Sequence, residues 1–181
     1  MSTNEYHFIT HWRVKAPLEQ IYEILDDPLD LVRWWPSVYI QVAEIEKGNE
    51  EKIGRVIDLY TKGWLPYTLR WKFRVSERHD TGVTLEAFGD FVGRGIWSFE
   101  RDGEWTNITY DWKIQAEKQL LKVLSPLLKP LFKANHYWAM ARGEESLNLE
   151  IARRNARTPE EQAAIPAPPP PTFAWLLKRS S

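Results

Sequence analysis

Apolar and polar residues alternate at the beginning of the chain. From Tyr6 to Val14 the even positions are mostly aromatic or apolar, and the odd positions are mostly polar. This period of two predicts a half-buried β-strand. Pro17 then marks a helix start, and the apolar residues from Leu18 to Leu25 recur at helical spacing, which predicts a short helix. A second helical turn is predicted from Leu29 to Arg33, because the Trp-Trp-Pro segment that follows disfavours helix.

The period of two returns from Val38 to Gln115, interrupted by short segments rich in Gly, Asn, Asp and Pro. Such segments are typical of turns between antiparallel strands. The region therefore predicts six further strands in a meander, which makes seven in all. The clearest is Tyr67 to Ser76, where large apolar residues occupy one face and Thr, Arg and Lys occupy the other. One face of the sheet is therefore expected to contact solvent.

Opposed residues of an antiparallel pair share a face, so the register of each hairpin can be predicted. With Asp102-Gly103 as a two-residue turn, Gly95 is expected opposite Tyr110. An odd-length loop at residues 79–81 places Trp71 opposite Gly89. A large aromatic residue then faces a glycine in both hairpins. Two interpretations stay open: dense packing of large against small residues, which the alternation alone favours, or space left for a ligand.

The last third of the chain changes character twice. From Lys118 to Arg154 the apolar residues follow a helical period, which predicts one long helix. Pro168 to Pro171 can form only an extended polyproline stretch, and the segment after it is too apolar for a simple linker. We expect one domain over residues 1–155 and a Pro-rich tail over residues 156–181. The apolar end of this tail is expected to pack on the domain or on a second copy.

The composition restricts the class of function. The chain has 181 residues, enough for one domain with a sizeable core, and its net charge of −1 gives no cationic field for nucleic acid. The absence of cysteine excludes disulfides, thiolate metal sites and cysteine nucleophiles. The N-terminus lacks a signal-peptide pattern and no stretch is long enough to span a membrane, so a cytoplasmic protein is expected. Aromatic residues make up 13% of the chain, with ten Trp, which hints at a cavity or an interface.

Residues capable of acid-base or metal chemistry form no recognisable motif. His7 and His11 share one strand face about 13 Å apart, too far for one metal ion. His136 lies on the long helix without a second ligand nearby, so it can act only as a lone acid or base. Asp26 and Asp27 are expected to close a turn. We therefore assign no metal site, no cofactor and no catalytic residue from the sequence.

The order of elements resembles the START and Bet v 1 type superfamily (SRPBCC), which includes polyketide cyclases/dehydrases and lipid-transport proteins. The segments that carry the resemblance are Val14-Lys15-Ala16-Pro17, the helix from Leu18 to Leu25, Trp34-Trp35-Pro36, Gly93-Arg94-Gly95-Ile96-Trp97, and the long final helix with residues Asn135 to Glu144. The resemblance implies an α+β helix-grip fold. In this fold a curved seven-stranded antiparallel sheet wraps around a long C-terminal helix, two short helices follow the first strand, and a cavity for hydrophobic molecules is enclosed.

The inner face of the predicted sheet and the facing helix supply the candidate ligand-binding residues. They are Trp71, Gly89, Gly95, Trp97, Phe99, Tyr110, Asn135 and Trp138. Other polar residues that can lie among the inner aromatics are Thr10, Tyr60, Thr106 and Arg142. A few polar groups in an apolar cavity are the usual means of orienting a small ligand. Because the aromatic surplus and the resemblance agree, we expect open space above Gly95.

Three functions are compatible with these observations. The leading hypothesis is binding or transport of a hydrophobic, lipid-like or polyketide-like small molecule in the cavity. The first alternative is an enzyme of the polyketide cyclase/dehydratase type, in which Tyr110, His136 or Arg142 handles protons. Convergence of these groups at one point of the cavity would favour the enzyme. The second alternative is self-association or partner docking through the apolar tail residues Phe173, Trp175, Leu176 and Leu177.

Overall fold

The computed structural model describes residues 5–117 and 119–174. The chain begins with strand β1 (Glu5–Val14), whose even-numbered side chains are mostly buried, as the alternation predicts. Pro17 lies at the N-cap of helix α1 (Leu18–Leu25). A 3₁₀ turn (Pro28–Asp30) and the short helix α2 (Leu31–Trp34) follow. The two short helices predicted after the first strand are therefore confirmed.

Six further strands complete a single antiparallel sheet. They are β2 (Tyr39–Glu46), β3 (Val56–Lys62), β4 (Thr68–His79), β5 (Gly82–Gly89), β6 (Phe91–Asp102) and β7 (Trp105–Ala116). The strand order is β1-β7-β6-β5-β4-β3-β2, so the meander from β2 to β7 ends beside β1. The curved sheet leaves β1 and β2 as its two edges.

Helix α3 (Gln119–Asn155) packs against the inner face of the curved sheet. The short helix α4 (Pro159–Ala164) lies in the tail. Met140, Leu147 and Ile151 of α3 are buried in one apolar core together with the inner face of the sheet. The α+β helix-grip architecture predicted from the sequence is therefore confirmed. Among the described residues, no helix is both long enough and apolar enough to cross a membrane.

A buried carboxylate fixes α2 to α3. Glu150 is only 2% exposed and accepts hydrogen bonds from Arg33 Nη1 at 2.8 Å, Arg33 Nη2 at 2.6 Å and Arg154 Nε at 2.7 Å. Burial opposes ionisation of Glu150, but the hydrogen bonds from the two arginines outweigh it, so the pKa of this carboxyl is lowered. The anchored α2 holds Trp34 and Trp35 against the core.

The predicted hairpin registers have different outcomes. The β4–β5 register is confirmed, with Trp71 opposite Gly89. The β6–β7 register is wrong by two residues, because Gly95 pairs with Trp112 rather than with Tyr110. The two-residue loop is Gly103-Glu104, since Asp102 is still paired and Gly103 adopts the positive φ of 61° that a two-residue hairpin turn requires. A shift of two keeps each side chain on its face and changes only its partner.

An irregularity in β2 changes which of its side chains face the core. The pairing of β2 with β3 shifts register between Tyr39 and Gln41. The extra residue of such a bulge reverses the alternation, so that Tyr39 packs against the core on the same face as Val42. The beginning of β2 therefore contributes a phenol ring to the interior of the fold.

Candidate functional site

A cavity of about 220 Å³ lies between the inner face of the sheet and α3. About 10–15 Å³ of such space is enough for one water molecule, so this cavity has room for a small organic molecule. Its lining is mainly aromatic and aliphatic and comes from β1, α1, α2, all of the strands from β2 to β7, and α3. The aromatic surplus of the sequence is thus concentrated around an internal space.

A ladder of stacked rings forms the sheet side of this cavity. Trp97 and Tyr110 are cross-strand partners, and their rings stack with centroids 4.1 Å apart. Tyr110 in turn stacks on Trp112 at 5.5 Å, and Trp71 packs against Trp112 at 5.5 Å. The indole of Trp71 donates to Thr61 Oγ1 at 3.0 Å. Because each ring is held by its neighbour, the ladder presents a preformed apolar surface.

Two buried phenol hydroxyls are among the polar groups that line the cavity. Tyr39 and Tyr110 both line the cavity. Burial raises the pKa of each phenol above its usual value, and for Tyr110 the nearby Tyr39 adds to the shift. Within the described part of the chain, neither hydroxyl has a hydrogen-bond partner. Both phenols therefore remain neutral and able to donate a hydrogen bond to an oxygen of a bound molecule.

His136 brings a titratable ring to the same cavity. Its imidazole stacks on Phe8 with centroids 4.0 Å apart, and its Nε2 lies 3.4 Å from Thr10 Oγ1. Burial lowers the pKa of His136 to about 4, so the ring is neutral at physiological pH. Thr10 is the cross-strand partner of Tyr110. His136 and Tyr110 therefore flank one short stretch of the cavity.

The side chain of Asn135 closes the cavity next to His136. Asn135 Oδ1 accepts the backbone N–H of Leu65 at 3.1 Å, and the amide lies directly over Gly63. A Cβ at Gly63 would overlap the Asn135 amide, so the absence of a side chain there allows the close approach. This contact fixes the β3–β4 loop to α3.

One end of the cavity, here named the Asp26 end, is closed by ion pairs. Asp26 contacts Lys52 Nζ through one oxygen and Arg78 Nη1 at 2.6 Å through the other. Its backbone carbonyl accepts from Arg55 Nη1 at 3.1 Å, and Arg55 Nε donates to Glu44 Oε2 at 2.5 Å. The charged groups at this end thus satisfy one another.

The opposite end, here named the Lys62 end, is closed by the tail. Lys62 Nζ donates to the backbone oxygen and to Oγ1 of Thr172, both at 2.5 Å. Thr172 Oγ1 is also within hydrogen-bond distance of the carbonyl oxygens of Gly63 (3.2 Å) and Trp64 (3.3 Å). The tail therefore reaches the β3–β4 loop, where Lys62 and Gly63 line the cavity.

Five of the eight predicted site residues line the cavity and three do not. Those that line it are Trp71, Trp97, Phe99, Tyr110 and Asn135. Gly95 lies outside the lining, and the expectation of open space above it is wrong. A Cβ at Gly95 would lie 2.7 Å from Tyr110 Oη and 2.8 Å from Trp112 Cε3, so two aromatic side chains already fill this space. At this position, large-against-small packing is the correct interpretation.

Gly89 and Trp138 also lie outside the lining. Gly89 has a φ of 110°, and a Cβ there would come within 3.0 Å of the backbone of β4, so the glycine serves the chain path. Trp138 is partly buried and packs against the core. Of the other polar candidates, Tyr60 donates to Thr68, Thr106 donates to the backbone of Ala16, and Arg142 pairs with Glu145.

The apolar end of the tail is only partly described. Phe173 is 44% exposed, and Lys62 Nζ lies 5.4 Å from its ring centroid. Trp175, Leu176 and Leu177 lie outside the described residues, so docking through these three side chains stays a prediction.

Sequence analysis missed Tyr39 and Lys62 as cavity residues. The bulge that turns Tyr39 inward leaves no mark in a period-two pattern, although an aromatic residue directly after a Pro-Ser-Val turn was a weak signal. Lys62 is brought to its position by Thr172, 110 residues later in the chain. A local sequence pattern cannot predict a contact between residues so far apart in sequence.

Comparison of the sequence with protein-family models and with curated proteins gives no match. Solved structures do share the architecture. The Zhui aromatase/cyclase from Streptomyces sp. R1128 has a TM-score of 0.66 at 17% identity, over 84% of this chain and 97% of that chain. TTHA0849 from Thermus thermophilus has a TM-score of 0.62 at 16% identity, over 78% and 97%. A START superfamily protein from Mycobacterium smegmatis has a TM-score of 0.60 at 15% identity, over 78% and 98%.

These likenesses concern the fold, because identities of this size carry no residue-level correspondence. They include an aromatase/cyclase and a START superfamily protein, which is consistent with the START and Bet v 1 type superfamily that the order of elements resembles. The chain thus has the START-like helix-grip fold.

Proposed function

We propose that the protein binds a hydrophobic small molecule, lipid-like or polyketide-like, in the cavity between the sheet and α3. The observation that carries the proposal is an aromatic-lined cavity of about 220 Å³ in which the hydroxyls of Tyr39 and Tyr110 have no partner in the described part of the chain. A ligand oxygen would satisfy these donors, and the ligand body would bury its apolar surface against the ring ladder.

Titration with the neutral fluorescent probe 1-N-phenylnaphthylamine tests the proposal. The fluorescence of this probe rises when it leaves water for an apolar site. We expect saturable binding to the wild-type protein. Ala139 lines the cavity from α3, so Ala139→Phe is expected to fill part of the space and to weaken binding at least about tenfold, the effect of about 1.4 kcal/mol.

Ala134 provides a matched control for this experiment. It lies on the same helix but is exposed and does not line the cavity. Ala134→Phe adds the same side chain outside the cavity, and we expect it to leave probe binding unchanged. Absence of saturable binding to the wild type, or equal loss in both variants, would contradict the proposal.

A cyclase or dehydratase activity is the second candidate. It is favoured by the position of His136, whose Nε2 lies near Thr10, the cross-strand partner of Tyr110. In such a reaction neutral His136 would take a proton from a carbon between two ketones. That carbon would bond to the carbonyl carbon of a third, more distant ketone of the same chain. The oxygen of this third ketone would receive a proton from Tyr110. Arg142, the third candidate, pairs with Glu145 and does not line the cavity.

A linear poly-β-ketone thioester separates the two candidates. An enzyme would convert it to a cyclic product detectable by absorbance and mass, and both His136→Gln and Tyr110→Phe would lower the rate while the naphthylamine probe still binds. A binding protein would retain the thioester without accelerating its cyclisation over the uncatalysed rate.

A further inference from the structure

Lys62 is a buried cation whose polar partners among the described residues are neutral oxygens. The residue is 3% exposed, and its ammonium donates to the carbonyl and the hydroxyl of Thr172. Phe173 adds a ring face at 5.4 Å. Among residues 5–117 and 119–174, no carboxylate forms an ion pair with it, and burial lowers its pKa. Burial of an ammonium without an opposite charge is costly.

The second buried cation of the cavity shows the usual arrangement. Arg55 is 9% exposed and donates to the Glu44 carboxylate at 2.5 Å. Arg55 immediately precedes β3 and Lys62 is the last residue of that strand, so the two cations lie roughly 20 Å apart at the rise of an extended chain. Both line the same cavity. The cavity therefore has a neutralised cation at one end and, at the other, a cation that no carboxylate of the described residues neutralises.

We propose that Lys62 binds the carboxylate head of an amphipathic ligand whose apolar body lies along the aromatic ladder. The proposal rests on the proposed function and specifies the chemical class of its ligand. The two oxygens of Thr172 mark where carboxylate oxygens would lie, each 2.5 Å from Lys62 Nζ. A carboxylate supplies the same two acceptors together with the missing negative charge, so it competes favourably with Thr172 for the ammonium.

The Lys62 end suits such a head group for a second reason. Asp26 is the only carboxylate among the described cavity-lining residues, and it is paired with Lys52 and Arg78 at the far end. An anion at Lys62 therefore meets no like charge in the described lining. The apolar body would extend from Lys62 past Asn135 and the rings of Trp71 and Tyr110.

Decanoate and 1-decanol form a matched pair of probes for this site. They share one apolar chain and differ in the charge of the head. Each is used at neutral pH to displace 1-N-phenylnaphthylamine from the full-length protein. We expect Lys62→Met to weaken decanoate binding about tenfold, as removal of one charge-assisted hydrogen bond predicts, and to change 1-decanol binding less than about twofold. Lys62→Arg, which keeps the cation, is expected to retain most of the preference for decanoate.

Lys133 supplies the control for long-range charge. It is exposed on α3, adjacent in sequence to the cavity-lining Phe132, and does not itself line the cavity. Lys133→Met is expected to leave both affinities unchanged. Lys62→Gln replaces Lys62→Met if the latter does not unfold cooperatively on heating.

Several results would overturn the inference while the proposed function stands. These are displacement by 1-decanol but not by decanoate, equal weakening of both probes by Lys62→Met, no weakening of either, or equal weakening of decanoate by Lys133→Met. Failure of the naphthylamine probe to bind the wild type would instead contradict the proposed function itself.

Discussion

The two ends of the cavity are closed by different kinds of contact. At the Asp26 end, a carboxylate joins Lys52 and Arg78, so charges of opposite sign meet directly. At the Lys62 end, the polar partners of a buried ammonium in the described part of the chain are the carbonyl and hydroxyl oxygens of Thr172. The first end is built by the residue that follows α1, by the β2–β3 loop and by β4, whereas the second depends on a tail that follows α3.

The difference indicates which end a ligand can open. Breaking an ion pair with limited solvent exposure leaves a charge without its partner, so opening the Asp26 end costs much free energy. Exchanging the neutral oxygens of Thr172 for oxygens of a ligand leaves the ammonium hydrogen-bonded, so it changes the free energy much less. The Lys62 end is therefore the part of the cavity where a ligand can substitute for a protein contact at the lowest cost.

The largest effect is expected from breaking the Asp26 end. Asp26→Ala removes the partner of Lys52 and of Arg78, whose side chain is only 17% exposed. We expect the free energy of unfolding to fall by about 3 kcal/mol in urea denaturation. Asp102→Ala is the control, because Asp102 pairs with Arg13 in solvent with both side chains more than half exposed. It should cost less than about 1 kcal/mol, and an equal loss in both variants would contradict the comparison.

The next largest effect is expected in the pH dependence of the free energy of unfolding, through His136 near the Lys62 end. The pKa of His136 is about 4 in the folded protein against 6.5 for an unperturbed histidine. Between these values the unfolded chain binds more protons at this residue, so the contribution of His136 to the free energy of unfolding falls as the pH drops from 6.5 to 4 and is constant above that window.

We expect about 2 kcal/mol of this acid-induced loss to disappear in His136→Gln, because the full shift is reduced by the partial exposure of the ring. Urea denaturation of both proteins across the window measures the difference, and the other titrating groups cancel between them. Parallel stability curves for the two proteins would show that His136 is not desolvated.

The third prediction concerns Gly95, where the side chains of Tyr110 and Trp112 fill the space that a larger residue would need. Gly95 is not in the left-handed region, so its backbone tolerates a side chain. Gly95→Ala is nevertheless expected to cost about 1–2 kcal/mol, because Tyr110 and Trp112 must move to admit the methyl group. Thermal unfolding measures the loss. An unchanged melting temperature would mean that the ladder is looser than its stacking distances indicate.

The smallest effect on stability is expected from a substitution in the tail. Thr172→Val keeps the backbone oxygen but removes the hydroxyl that contacts Lys62, Gly63 and Trp64. We expect a local loss of about 1 kcal/mol, seen as faster hydrogen exchange at the backbone amides of residues 172–174, while exchange in β5 and β6 is unchanged. Equal acceleration in both regions would show that the tail is part of the global folding unit.

The inner face of the sheet was predictable because its alternation is long and regular. Leu69, Trp71, Phe73 and Val75 repeat with period two, and the odd-length loop that the sequence predicts gives the observed register, with Phe73 opposite Ala87 and Val75 opposite Leu85. In the β6–β7 hairpin, two registers that differ by two residues bring the same face inward, so the pattern could not separate them. The turn glycine Gly103 decides between them through its φ, which composition does not reveal.

The candidate site was predictable only where it follows that alternation. Trp97 and Tyr110 lie on the predicted inner face and do line the cavity. Whether the space beside a glycine is open depends on side-chain directions, and at Gly95 the neighbouring rings occupy it. The polar groups at the Lys62 end come together through contacts between residues far apart in sequence. Such contacts are properties of the packed fold and leave no local pattern.

The proposed function requires that a hydrophobic molecule occupies the space between the sheet and α3. A crystal structure of the protein grown with saturating 1-N-phenylnaphthylamine tests it most directly. We predict electron density for the probe inside the cavity, in contact with Trp71, Trp97 and Tyr110. Density for the probe only on the outer surface, with the cavity closed by inward movement of these rings, would contradict the account.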